Sequence, residues 1–261
     1  MLKCPGCGED NPPKFRLCGY CGTALAAAAW LALDIASREA RRLGLSAEYV
    51  YNAGFYGLVG GVLGARLWYV GTYWSVYRTD LLAIFSLNPA TLSLGGGVVL
   101  GLLVMAWYLR ARALPIRLFL DSTALALAVF AAGLGLVTLA SGDAYGVPTR
   151  LPWAIYMWDD YRHPTQLYDI LAAATIFTIL WRLRNNRPFS GYLFLSFITL
   201  YALARLLLEP LRGDSLIWAG GFRAVQLWSL AALLAALWIT PKWARKQPAH
   251  SAPWPPEEPY S

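Results

Sequence analysis

Charged side chains make up only 14% of this 261-residue chain, against 57% hydrophobic residues. That shortage excludes a soluble globule, which needs far more polar cover. Histidine occurs twice, as His163 and His250, and the four cysteines all fall within the first 21 residues. No apolar run opens the chain, so a cleavable signal peptide is not expected. The net charge of +7 arises from arginines and lysines set in short segments between apolar runs, and it gives no argument for a nucleic-acid partner.

What the chain has in quantity is apolar segments near the ~20 residues that a bilayer core demands. Spans are read at 51–74, 92–109, 118–140, 166–183, 189–211 and 222–240. Arg38, Arg41 and Arg42, then Arg110, Arg112 and Arg117, then Arg182, Arg184 and Arg187, then Lys242, Arg245 and Lys246 all fall on one side, which the positive-inside rule makes cytoplasmic. The opposite connections carry Trp153, Tyr156, Trp158 and Tyr161, the aromatic type that sits at a lipid–water interface.

Ahead of the spans stand Cys4-Pro-Gly-Cys7 and Cys18-Gly-Tyr-Cys21. Two such knuckles match a zinc ribbon, each supplying two thiolates to one tetrahedral site; two disulfides or free thiols are the plainer reading, disfavoured in a reducing cytoplasm. The apolar run Ala24 to Leu33 rises only about half a bilayer at ~1.5 Å per residue, so a half-helix or surface helix is expected there, with both termini cytoplasmic. The expected fold is therefore an all-α polytopic membrane protein of six full transmembrane helices plus a short N-terminal half-helix and a small zinc ribbon. Its divisions are a ribbon over 1–23, a transmembrane domain over 24–240 and a disordered proline-rich tail over 241–261.

Polar chemistry concentrates at the outer ends of two spans. Arg205, Glu209 and Arg212 are spaced by four and seven, which puts them on one helical face, and charge in hydrocarbon persists only with a partner or a task. Arg162-His163-Pro164-Thr165-Gln166-Leu167-Tyr168-Asp169 gathers a base, an amide, a phenol and an acid at one helix start. Arg66 stands in the outer half of its span, beside Gly57, Gly60, Gly61 and Gly64, which suit close helix packing. Gly95-Gly96-Gly97 weakens a helix and suggests close approach of a backbone or a ligand. Three guanidiniums at the outer face favour a phospholipid phosphate; a structural network in which Glu209 and Asp169 neutralise the arginines is the alternative. His163 is either a proton carrier or a cap on the helix after Pro164.

Together these residues resemble the bacterial prolipoprotein diacylglyceryl transferases. The likeness rests on His163-Pro-Thr-Gln-Leu-Tyr168-Asp169, on Tyr201-x3-Arg205-x3-Glu209-x2-Arg212-Gly-Asp214, on Ser37 to Ser46 followed by Gly64-Ala-Arg-Leu67, and on Asp143-Ala-Tyr145-Gly146-x-Pro148-Thr149. It implies a multi-pass enzyme of the bacterial plasma (inner) membrane; the short apolar run and the charge bias put the ribbon on the cytoplasmic side. The reaction it implies moves diacylglyceryl from phosphatidylglycerol to the lipobox cysteine of a secreted prolipoprotein precursor, with no catalytic cofactor; the zinc expected from the cysteine spacing is structural. On that resemblance His163, Asp169 and Glu209 are catalytic. Arg66, Arg205, Arg212, Asp143, Gly146, Tyr168 and Gln166 bind substrate; Cys4, Cys7, Cys18 and Cys21, outside the resemblance, hold the metal by their spacing. The chain departs from the family where a His-Gly-Gly stands as Gly95-Gly96-Gly97, and where a family arginine and asparagine stand as Gly135 and Thr138. A non-catalytic phospholipid-binding relative, whose ribbon recruits a partner, is the alternative.

Overall fold

The computed structural model describes residues 2–3, 10–11, 23–79, 81–85, 93–218 and 220–245. Cys4, Cys7, Cys18, Cys21 and tail residues 246–261 lie outside the described residues. A short antiparallel pair, β1 (Leu2–Lys3) and β2 (Asp10–Asn11), precedes the helices α1 (Thr23–Arg42), α2 (Ala47–Thr72), α3 (Trp74–Tyr77), α4 (Leu94–Ala111) and α5 (Ile116–Ser141). A hairpin of β3 (Ile155–Met157) and β4 (Asp160–Arg162) then leads into α6 (Thr165–Leu183), α7 (Tyr192–Leu208) and α8 (Ala224–Arg245).

Each expected span is a helix, but among the described residues four helices, not six, are long and apolar enough to cross a membrane by length and composition alone. They are Ile116–Ser141, Thr165–Leu183, Tyr192–Leu211 and Ala224–Arg245. Helix α2 is 26 residues long but carries Glu48, Arg66 and a run of glycines, and the apolar part of α4, Gly95–Ala111, is shorter.

The expected ten-residue half-helix is instead the first half of a twenty-residue helix, α1. It continues past its apolar run because the polar half also packs: Ala36, Ser37, Glu39 and Ala40 are buried. Glu39 meets Arg42 at 2.7 Å and Arg184 at 3.5 Å, while Arg42 also donates to the Arg184 carbonyl at 3.0 Å. At the other end, α8 runs through Pro241 to Arg245, so helix extends into the segment expected to be disordered from 241. A proline's missing N–H leaves one intrahelical bond unmade, and only a single turn follows it.

The chain forms two compact units, residues 45–119 and residues 1–44 with 120–261. In the first, α2 packs along α4 at glycine-to-glycine distance. A Cβ at Gly64 would come 2.6 Å from the Gly96 carbonyl, and one at Gly96 would come 2.7 Å from the Gly64 carbonyl. The glycine triplet is thus a backbone contact at Gly96 and Gly97, while a Cβ at Gly95 would meet no other segment within 4 Å.

In the second unit, Leu125, Leu180, Leu193 and Phe197 form the core where α5, α6 and α7 meet. Asp121, fully buried on α5, accepts from the backbone N–H of Gly191 at 2.8 Å and of Phe194 at 3.1 Å, and from Arg187 Nη1 at 3.3 Å. It satisfies orphan donors at the start of α7 from a different helix. Arg205, fourteen residues after Gly191, lies roughly 21 Å along that axis at 1.5 Å per residue. The anchor sets its depth.

Candidate functional site

A cavity of about 530 Å³ opens in the second unit, walled by α5 (Leu134, Gly135, Thr138), α6 (Asp169, Ala173), α7 (Tyr201, Arg205) and α8 (Trp228, Ser229). Its lining is mainly apolar, and its charged groups are Asp169, Arg205 and Arg212.

Arg205 sits in the last turn of α7 and forks between two acids. Nη1 lies 3.0 Å from Asp169 Oδ1, and Nη2 lies 2.6 Å from Glu209 Oε2. Glu209, 1% exposed, spends its other oxygen on Ser215 Oγ at 2.7 Å, so this buried carboxylate has both oxygens satisfied, as burial requires. Arg212 Nη1 reaches the second oxygen of Asp169 at 3.4 Å, while Nε and Nη2 clamp Asp214 at 3.0 and 2.8 Å. Burial opposes the Arg212 charge, but the hydrogen bond and charge of Asp214, with Asp169 and Glu209 adding, raise its pKa above the usual guanidinium value. It stays a cation.

The loop that carries Arg212 is held from two sides. Arg223 Nη1 donates to the Arg212 carbonyl at 2.7 Å. Residues 145–147 run antiparallel to 211–213, with Val147 N donating to the Leu211 carbonyl at 2.9 Å and Gly213 N to the Tyr145 carbonyl at 2.8 Å. The same segment bonds the hairpin on its far side, through Thr149 N to the Tyr161 carbonyl at 2.8 Å. Gly146 is pressed against His163: an added Cβ would collide with the His163 carbonyl oxygen and lie 2.6 Å from its Cβ.

His163 does not line the cavity. Its Nδ1 lies 3.3 Å from the Tyr168 hydroxyl, which also accepts from Trp153 Nε1 at 2.8 Å, and its backbone N–H donates to the Val147 carbonyl at 3.1 Å. Gln166, fully buried, donates through Nε2 to the Asp143 carbonyl at 2.7 Å, and its Oε1 has no partner among the described residues. The Asp143 carboxylate itself is exposed and accepts from Ser141 Oγ at 2.7 Å.

The structure therefore brings together Asp169, Arg205, Glu209 and Arg212, and a separate group of His163, Tyr168, Gly146, Gln166 and Asp143 that builds the adjoining loop. Arg66 belongs to the other unit, where it donates to the Ala83 and Ile84 carbonyls at 2.5 and 2.8 Å and lies 5.1 Å from the Tyr77 ring centroid. Sequence reasoning missed Ser215 and Arg223, neither of which has a local pattern that marks it. On α5 the Thr138 hydroxyl bonds its own helix at the Gly135 carbonyl, 3.1 Å away, so that wall presents no charge. Among the described residues no group of three or more metal-ligating side chains occurs.

Residues 14–241 match the family model of prolipoprotein diacylglyceryl transferase. Similar proteins named phosphatidylglycerol–prolipoprotein diacylglyceryl transferase include one from Clostridioides difficile, 30% identical over 78% of this chain and 82% of that protein. One from Enterococcus faecalis is 32% identical over 80% of each chain. One from Thermotoga maritima is 32% identical over 79% of this chain and 73% of its own length.

Proposed function

Because this chain belongs to the prolipoprotein diacylglyceryl transferase family, we propose that it is a membrane-embedded transferase that moves diacylglyceryl from phosphatidylglycerol to the cysteine thiol of a prolipoprotein precursor. The observation that carries this reading is the pair of guanidiniums, Arg205 and Arg212, facing one largely apolar cavity. Acyl chains suit such walls, and two forks suit a phosphate.

In this reaction a sulfur–carbon bond forms to the glyceryl carbon and the carbon–oxygen bond to phosphate breaks. The electron pair leaves on glycerol phosphate, and the thiol proton goes to a base. Arg205 and Arg212 hold the leaving phosphate as its charge develops. Glu209, with Ser215 behind it, keeps the Arg205 fork aimed. Asp169 and His163 are the groups able to take the thiol proton; Asp169 faces the cavity, and His163 with Gly146 and Tyr168 secures the loop beside it. Gln166 and Asp143 fix the start of α6.

We place the protein in the bacterial plasma membrane with six spans, α2 and α4 counted with the four more apolar helices, and with both termini cytoplasmic. Cys4, Cys7, Cys18 and Cys21 offer four thiolates, a donor set that suits structural zinc and leaves no open position for catalysis. Thioether formation on a lipobox peptide in phosphatidylglycerol nanodiscs tests the function. A second reading, a lipid-binding relative without catalysis, draws support from the uncharged α5 wall at Gly135 and Thr138; lipid binding with no thioether product would favour it.

A further inference from the structure

We infer that Asp169 occupies the anion seat of this cavity, standing in for a headgroup phosphate, and leaves that seat when phosphate binds. Its two carboxylate oxygens are divided between the two cations, Oδ1 at 3.0 Å from Arg205 and Oδ2 at 3.4 Å from Arg212. A phosphate bridging the same pair of guanidiniums would need the same two points. Asp169, Arg205 and Arg212 all line the cavity, whereas Glu209 and Asp214, the other acids on these arginines, do not. Glu209 and Asp214 therefore brace the cations from behind, and the Asp169 contact alone stands between them and an entering ligand.

Charge supports the same conclusion. Two guanidiniums here meet three carboxylates, Asp169, Glu209 and Asp214, so an anion entering with Asp169 in place gains no net cation. With Asp169 turned away the seat is cationic on its cavity side. The contact is also the one able to give way: it is the longest of the Arg212 pairings, and on Arg205 it is the longer of two, to an acid 20% exposed where Glu209 is 1% exposed with both oxygens bound. The start of α6 is fixed, since Thr165 and Gln166 are buried and bonded to the Ala144 and Asp143 carbonyls, so the exchange is a side-chain rotation.

The proposal rests on the transferase reading for the ligand but makes an opposite forecast for one variant. If Asp169 only helped to bind substrate, neutralising it would weaken lipid binding. As an internal competitor it lowers the apparent affinity by the fraction of time the seat is open, and a minor open state of about 1–10% implies roughly tenfold or more tightening once the competitor is neutralised.

The experiment measures immobilisation of spin-labelled phosphatidylglycerol by the full chain in zwitterionic nanodiscs. Soluble glycerol 1-phosphate, as a competitor, is the second arm. Asp169→Asn and Asp169→Ser should each bind roughly tenfold or more tightly than wild type, and Asp214→Asn, which removes the same charge from behind Arg212, should gain much less. Tightening in the lipid arm alone assigns the seat to a bilayer headgroup; tightening in both arms assigns it to the phosphate group whatever its carrier. Unchanged or weaker binding by both Asp169 variants, with unfolding temperatures near wild type, overturns the inference, as does equal tightening by Asp214→Asn. Absence of thioether product in every form, with the Asp169 gain intact, would sink the transferase reading and leave the seat standing.

Discussion

Glu209 lies 2.6 Å from Arg205, one helical turn back along the chain, and is the most deeply buried charge of the cavity cluster. Removing the acid leaves a guanidinium without its inner partner, and breaking one side of a buried pair typically costs about 3 kcal/mol or more. Glu209→Ala should therefore lower the unfolding temperature in detergent well below that of Asp214→Ala, whose side chain is 29% exposed. Equal losses in the two variants would mean that burial does not decide the energetics here.

Arg205→Lys should weaken phosphatidylglycerol binding although the charge is kept, because an ammonium cannot hold Asp169 and Glu209 through two fixed prongs and still present a fork to phosphate. Lipid immobilisation in nanodiscs reads the effect. An affinity equal to wild type would remove the forked contact from the account.

Gly146→Ala places a methyl group where the His163 carbonyl and Cβ stand. Overpacking of this kind costs on the order of 1–3 kcal/mol. Since residue 146 also pairs with Arg212 across the loop, lipid affinity should fall together with thermal stability; a variant that keeps both at wild-type level would show that the loop yields without consequence.

Asp121→Ala removes the acceptor for the first N–H groups of α7. Loss of a helix cap costs about 1–2 kcal/mol, and Asp121→Asn, which can still accept, should retain more of the stability. If Asn and Ala destabilise equally, the Arg187 ion pair rather than the cap matters.

Wild type should give weak but measurable diacylglyceryl transfer, and His163→Ala should give less. A free thiol with pKa ~8.5 is only a few per cent thiolate at neutral pH, so if His163 acts as base, raising the pH should partly restore the variant. Loss that no pH recovers would assign His163 to holding the loop against Gly146 and Val147 instead.

Several of these features are legible in the chain because they are local. Apolar runs of bilayer length mark helices, and the spacing of Arg205, Glu209 and Arg212 puts them on one face by the helical repeat alone. The order of short motifs is enough to suggest the family. The length of α1 is not legible, because its polar half is held by contacts of Arg42 and the buried Glu39 to Arg184 at the end of α6, more than 140 residues on. Nor is the role of the glycine triplet, which depends on what lies across from it.

Local order along the chain therefore specifies the membrane class, the helices and the presence of opposed charges at two helix ends. Tertiary structure alone decided that Asp169 bridges Arg205 and Arg212, 36 and 43 residues away, that Asp121 caps α7 across 70 residues, and that His163 faces the loop rather than the cavity. The reason is physical: helical periodicity is set by backbone geometry within a few residues, whereas which carboxylate meets which guanidinium depends on the packing of α5, α6 and α7, which no local pattern encodes.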